Sequence, residues 1–250
     1  MDHQIQAVIF DLGNTLIYFN GAWPVVMARA DEAMIRHLRA AGLHLDEGSF
    51  LSELRARLNS YYRERESEFI EYTTRYYLRE TLAEYGYPDV SEDLLTAVLE
   101  GYYAVSQESW LPDEEAIPTL EALKERSYPL GLISNAADDA DVQTLVDKAD
   151  ICAYFDQVLS SAALGIRKPD PRVFQPLLDH WRLAPERVAM VGDTLGADIL
   201  GAQNAGLFSI WVKRWADTPA NRAHADTIHP DATIEHIGQL PALLDQLNAH

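Results

Sequence analysis

Four polar stations stand, in order, where apolar runs of strand-like composition end. Asp11 follows Ala7-Val8-Ile9-Phe10, and Ser134-Asn135 follow Leu130-Gly131-Leu132-Ile133. Lys168 precedes Pro169-Asp170-Pro171 after a run ending at Ser161. Asp193 follows Val188-Ala189-Met190-Val191-Gly192, with Asp198 five residues beyond Asp193. A single Asp closing a strand reads as a turn residue or helix cap. Recurrence changes that reading, because open α/β sheets gather ligands at the carboxyl ends of their strands. A carboxylate, a hydroxyl with an amide, an ammonium and two further carboxylates are the parts phosphoryl transfer needs. They supply a nucleophile held in line with phosphorus and positive charge around its equatorial oxygens.

The elements that must hold these groups follow from the periodicities. Short runs rich in Val, Ile and Leu at 6–11, 129–134, 157–161, 187–192 and 208–212, with helical patterns between them, predict a parallel sheet covered on both faces. Asp170-Pro171 has the cap-then-proline signature of a helix start. Its apolar stripe is Val173, Phe174, Leu177, Leu178 and Trp181, and Pro176 conflicts with a continuous helix there. A helix from about Ala197 is expected to stop at Gly206. Residues 20–107 differ. They are densely helical, hold most of the tyrosines and contain no lysine. Leu94, Leu95, Val98, Leu99, Tyr102 and Tyr103 mark one helix face; Phe50, Leu54, Leu58 and Tyr61 mark another. The segment reads as a helical bundle inserted after the first strand, with Trp110-Leu111-Pro112-Asp113 as the return linker.

Composition bounds the function. The 250 residues are 48% hydrophobic and 24% charged, as in an ordinary globular protein, and no apolar run is long enough to span a bilayer. A net charge of −19 argues against nucleic acid as a partner, since phosphate neutralisation requires a basic surface. The start, Met1-Asp2-His3-Gln4, is unlike a secretory signal, so the expected compartment is the cytoplasm. The lone cysteine, Cys152, permits no intrachain disulfide and, beside Tyr154 and Phe155, is expected in the core. Monomer and homodimer are equally open.

The ordered set Asp11, Ser134-Asn135, Lys168-Pro169 and Gly192-Asp193 with Asp198 resembles the haloacid dehalogenase-like superfamily, in its phosphatase branch. The resemblance implies a Rossmann-like α/β core, residues 1–19 and 108–250, with residues 20–107 as a helical cap closing over the active site. It implies Asp11 as the nucleophile forming an aspartyl-phosphate and Lys168 as charge for both Asp11 and the phosphate. Ser134, Asn135 and Lys168 would bind phosphate. Mg²⁺ would take Asp11, the Gly13 carbonyl and Asp193, with Asp198 orienting the metal's waters.

One position departs from the pattern. The family's first motif is Asp-x-Asp-x-Thr/Val, and its second Asp, the usual general acid and base, is Gly13 here. That role is typically worth about 10²- to 10⁴-fold in rate. Three readings follow: good leaving groups such as sugar anomeric, aryl or acyl phosphates; a replacement acid, from cap tyrosines or Asp138-Asp139; or a phosphate-binding, regulatory protein with weak turnover. A metal-independent 2-haloacid dehalogenase is a further alternative, disfavoured by the intact Asp193 and Asp198. Gly13→Asp is expected to raise turnover on alkyl phosphates if the acid is missing. Tyr18 and Trp23, near Asp11 in sequence, are the candidates for substrate contact.

Overall fold

The computed structural model describes residues 4–249, without the side chain of Glu66; Met1-Asp2-His3 therefore lie outside it. Six strands form one parallel sheet in the order β5-β4-β1-β6-β7-β8. These are β1 (Ala7–Phe10), β4 (Leu130–Ser134), β5 (Gln157–Ser160), β6 (Val188–Gly192), β7 (Phe208–Val212) and β8 (Ala232–Ile234). Successive side chains of a strand face opposite ways, and β1 divides accordingly. Val8 and Phe10 enter one buried cluster with Leu132, Val191 and Ile210, while Ala7 and Ile9 enter another with Ile133, Phe174 and Met190. A strand covered on both faces needs an unbroken apolar run, which is what made these strands legible. From β1 the chain builds outward through β4 to β5, then returns to β1's other side with β6. β1 is thus flanked by the two strands at which the winding reverses, and a crevice opens there at their carboxyl ends.

Two three-residue strands, β2 (Ile17–Phe19) and β3 (Trp110–Pro112), pair antiparallel, with Phe19 opposite Trp110. The expected linker is therefore half of a ribbon through which the chain enters and leaves the bundle. Between them lie α1 (Trp23–Ala40), α2 (Glu47–Glu68), α3 (Thr74–Glu84) and α4 (Glu92–Gln107). Asp46, Thr73 and Ser91 cap the last three by accepting from the backbone N–H of Ser49, Tyr76 and Leu94. Met34, Leu38, Phe50, Leu54, Leu78, Leu95 and Val98 form the bundle's own core. Helices α5 (Ala116–Glu125) and α6 (Asp139–Lys148) follow β3 and β4.

Three local expectations are corrected. The helix expected from Asp170 splits into a 3₁₀ turn, Pro171–Phe174, and a helix, Gln175–Trp181, so that Pro176 sits in a first turn where its missing N–H costs nothing. The run ending at Gly206 opens with a π-turn, Leu195–Ile199, before Leu200–Ala205. Cys152 is exposed; it opens a 3₁₀ turn whose neighbours Tyr154 and Phe155 do the packing. Among the described residues no helix is long and apolar enough to cross a membrane.

Candidate active site

The carboxyl ends of β1, β4 and β6 bring Asp11, Ser134 and Asp193 to one edge, and the loop after β5 adds Lys168. Lys168 is 1% exposed, and its ammonium is the hub. Nζ donates to Asp11 Oδ1 at 2.8 Å and to the Ile133 carbonyl at 2.7 Å, and lies 2.7 Å from Asp198 Oδ1. Asp198 Oδ2 accepts from the Thr194 N–H, and Thr15 Oγ1 donates to Asp11 Oδ2. Asp198 reaches this position because residue 192 is glycine: a Cβ there would stand 2.3 Å from Asp198 Cγ.

Asp11, Asp193 and Asp198 offer carboxylate oxygens within 4.8 Å of one another, all buried. One ammonium against three carboxylates leaves a local excess of negative charge. Burial raises Asp11 to about 6, with Lys168 holding it down and Asp198 pushing it up. Burial, with the fields of Asp11 and Asp198, raises Asp193 to about 8. Burial opposes the charge on Lys168, but Asp11 and Asp198 outweigh it and keep the ammonium above its ordinary value. Clustered hard oxygen donors with unbalanced charge fit a divalent cation such as Mg²⁺.

Asn135 stands directly beyond β4, and its side chain reaches across to the lysine loop. Its Nδ2 donates to the Lys168 carbonyl and its Oδ1 accepts from the Lys168 N–H, both at 2.9 Å. The two loops run side by side, so the amide clamps the lysine backbone. Ser134 is 7% exposed at the end of β4. Gly13 is half-buried under Trp110, whose Cη2 would lie 3.2 Å from a Cβ at position 13. An aspartate there would have to move the indole, which complicates the simple expectation for Gly13→Asp. Tyr18 stacks on Trp215 at 4.7 Å, while Trp23, 50% exposed, stands edge-on to Phe19. Neither enters the Asp11–Lys168–Asp198 network.

Residues invisible to motif reading support the site. Asn221, 3% exposed, donates to the Asp193 and Ala216 carbonyls and accepts from the Leu195 N–H. Trp211 Nε1 donates to the same Asp193 carbonyl. On the bundle side, Glu71 accepts from Tyr61 at 2.6 Å, Ser161 at 2.7 Å and Arg167 at 3.0 Å. Ser161 also accepts from the Ala136 N–H, next to Asn135. Residues 69–71 further meet 165–167 through Glu71 N–H to Gly165 O and Arg167 N–H to Phe69 O. The bundle is thereby tied to the loops carrying Ser134 and Lys168.

Asp138 and Asp139, considered as replacement acids, are engaged at the start of α6. Asp138 caps the helix by accepting from the Asp141 N–H, and Asp139 accepts from Ser160. Asp141 accepts from Gln107 of α4 at 2.8 Å; burial raises it to about 6, with Gln107 lowering it and Asp138 raising it. A carboxyl raised on folding is penalised when ionised, so the penalty is absent well below pH 4 and complete above pH 6. Asp141→Asn keeps an acceptor for Gln107 and should stabilise the protein by about 1–3 kcal/mol at pH 8. Urea melts at pH 8 and pH 5 test this: the gain should shrink at the lower pH, and a gain independent of pH would refute it.

A profile of the haloacid dehalogenase-like hydrolases matches residues 5–206. The glyceraldehyde 3-phosphate phosphatase of Pyrococcus furiosus is 28% identical over 98% of this chain and 93% of its own length. The phosphoserine phosphatase of Thermus thermophilus is 40% identical over 41% of this chain and 40% of its own. Among solved structures, a 2-haloacid dehalogenase of Pseudomonas syringae superposes with a TM-score of 0.66 at 28% identity, covering 97% of this chain and 99% of that one. With motif order, sheet topology and the lysine-centred carboxylate cluster in agreement, the chain belongs to the haloacid dehalogenase-like hydrolase family.

Proposed function

We propose that the chain is a Mg²⁺-dependent phosphatase acting on a small phosphorylated metabolite. The observation that carries this is Lys168, seated between Asp11 and Asp198 within a buried cluster that has carboxylate to spare. In the reaction Asp11 Oδ attacks phosphorus and the bond to the leaving oxygen breaks. Water then attacks the aspartyl-phosphate, releasing inorganic phosphate and restoring the carboxylate. Lys168 holds the orientation of Asp11 and neutralises charge on the phosphoryl oxygens, with Ser134 contributing its hydroxyl. Mg²⁺, with Asp11, Asp193, Asp198 and the Gly13 carbonyl around it, would supply the positive charge that admits a phosphate to a chain of net charge −19. The bundle, residues 20–107, acts as the cap over a core of residues 1–19 and 108–250.

The relatives' names make glyceraldehyde 3-phosphate and phosphoserine the first natural substrates to try. The haloacid dehalogenase neighbour supports a second reading, attack of Asp11 on carbon. The surplus of buried carboxylate disfavours it, because without a metal those charges repel an anionic haloacid. Hydrolysis of p-nitrophenyl phosphate decides between them. Its nitrophenolate departs without protonation, so activity should appear with Mg²⁺ and vanish with EDTA or in Asp11→Asn. Chloride release from 2-chloropropionate in EDTA, without phosphatase activity, would establish the second reading.

A further inference from the structure

Position 13 carries no proton donor, and the space its side chain would take is bordered by an indole. The groups whose charges act most strongly on Asp11 are Lys168 and Asp198, and these are bound to one another. Asp138 and Asp139 are taken up by α6 and Ser160. With no acid at position 13 and these carboxylates engaged elsewhere, the site suits a leaving oxygen that departs as an anion. The surface next to Gly13 has a distinct character. Trp110 meets Phe19 edge-on at 5.2 Å, and Phe19 meets Trp23 edge-on at 4.6 Å. This ladder of three aromatic rings runs from the nucleophile loop out to Trp23, which is half exposed. The paired strands β2 and β3 fix its inner two rungs, since Phe19 and Trp110 are register partners.

Two constraints therefore meet at one place: a leaving group that needs no proton, and a lining that favours flat apolar rings through edge and face contacts. We propose that Trp110, Phe19 and Trp23 form the leaving-group subsite and that it takes aryl phosphates, in which the leaving oxygen is attached to an aromatic ring. The inference rests on the phosphatase reading above. In the first step the Asp11 oxygen–phosphorus bond forms as the phosphorus–oxygen(aryl) bond breaks. The electron pair leaves on the phenolate oxygen, spread into the ring, and no proton moves. Water then supplies the oxygen that frees inorganic phosphate, its proton passing to solvent.

The test compares kcat/KM, with Mg²⁺, for p-nitrophenyl phosphate, phenyl phosphate, acetyl phosphate and glyceraldehyde 3-phosphate. Acetyl phosphate also leaves as a stable anion but has no ring. The expected result is a preference of severalfold to about tenfold for p-nitrophenyl over acetyl phosphate, the size of one good aromatic contact. Trp23→Leu should shrink that ratio several-fold, chiefly through the KM of the aryl ester. Because Trp23 is exposed, this variant tests the ladder even if Trp110→Leu fails to fold. Equal rates on aryl and acetyl phosphates, a preference for glyceraldehyde 3-phosphate, or a ratio unmoved in Trp23→Leu would overturn the subsite while leaving the phosphatase intact. No turnover of any of the four would overturn the phosphatase reading and the subsite with it.

Discussion

Lys168→Met should lower kcat by about 10²- to 10³-fold, the usual loss when one preorganised charge is removed from a developing oxyanion. The same substitution changes how the protein responds to metal. In the wild type the ammonium sits 2.8 Å from Asp11 and 2.7 Å from Asp198, and among the described residues it is the only cation paired with either. Without it three buried carboxylates face one another, and breaking a buried ion pair commonly costs about 3–5 kcal/mol. Methionine fills most of the volume, so the loss should be electrostatic. A divalent cation can restore the missing charge. Mg²⁺ should therefore raise the melting temperature of Lys168→Met by more than it raises that of the wild type, since a ligand stabilises the state that binds it. Thermal unfolding with and without Mg²⁺ measures this directly. Equal shifts in the two proteins would place the metal away from this cluster.

Glu71→Ala should be the most destabilising single change in the bundle. The Glu71 side chain is fully buried, and three donors converge on it: Tyr61 of α2, Ser161 directly after β5, and Arg167 beside Lys168. Alanine leaves the Arg167 guanidinium, 12% exposed, without its carboxylate and strands the hydroxyls of Tyr61 and Ser161. The expected cost is about 3–5 kcal/mol by chemical denaturation. Glu71→Gln, which keeps an acceptor, should lose less. Adding Arg167→Met to Glu71→Ala should recover part of the loss, because the unpaired charge is then gone. A loss below about 1 kcal/mol would mean that water replaces the carboxylate at little cost. Activity should fall as well, since Ser161 links Glu71 to the backbone next to Asn135 and Arg167 adjoins Lys168.

Much of this architecture is legible in the amino-acid sequence. Four of the strands, β1, β4, β6 and β7, announced themselves because burial on both faces demands nearly continuous apolar residues. β5, a partly buried edge strand, was marked by its short Val-Leu run and its place between helical patterns. Motif residues at their carboxyl ends marked the edge where Lys168 meets the buried carboxylates, since order along the chain maps onto that edge. What escaped lacks a local signature. Strands β2 and β3 are three residues each and pair across the whole bundle, while β8 is an equally short edge strand. Asn221 and Trp211 lie far down the chain from the Asp193 carbonyl they hold, and nothing in their neighbourhoods distinguishes them from core residues. Glu71 looked like one more acid in an acidic protein until folding set Arg167 beside it. The position of Asn135 could be read from its motif, but the pairing of its amide with the Lys168 backbone had no signal in the sequence.

The strand order has a consequence for how the chain is made. β1 is synthesised before its partners β4 and β6, which lie far downstream, beginning only at Leu130 and Val188. At about 5–20 residues per second, β6 follows β1 by tens of seconds at the slower rates. The bundle, whose contacts are local, can condense in that interval and draw β2 toward β3, shortening the loop that must close before β1 finds β4. Until both neighbours arrive, Ala7-Val8-Ile9-Phe10 is an apolar segment with two open edges. The period between ribosome and finished sheet is therefore when this protein is most exposed to pairing with the wrong chain.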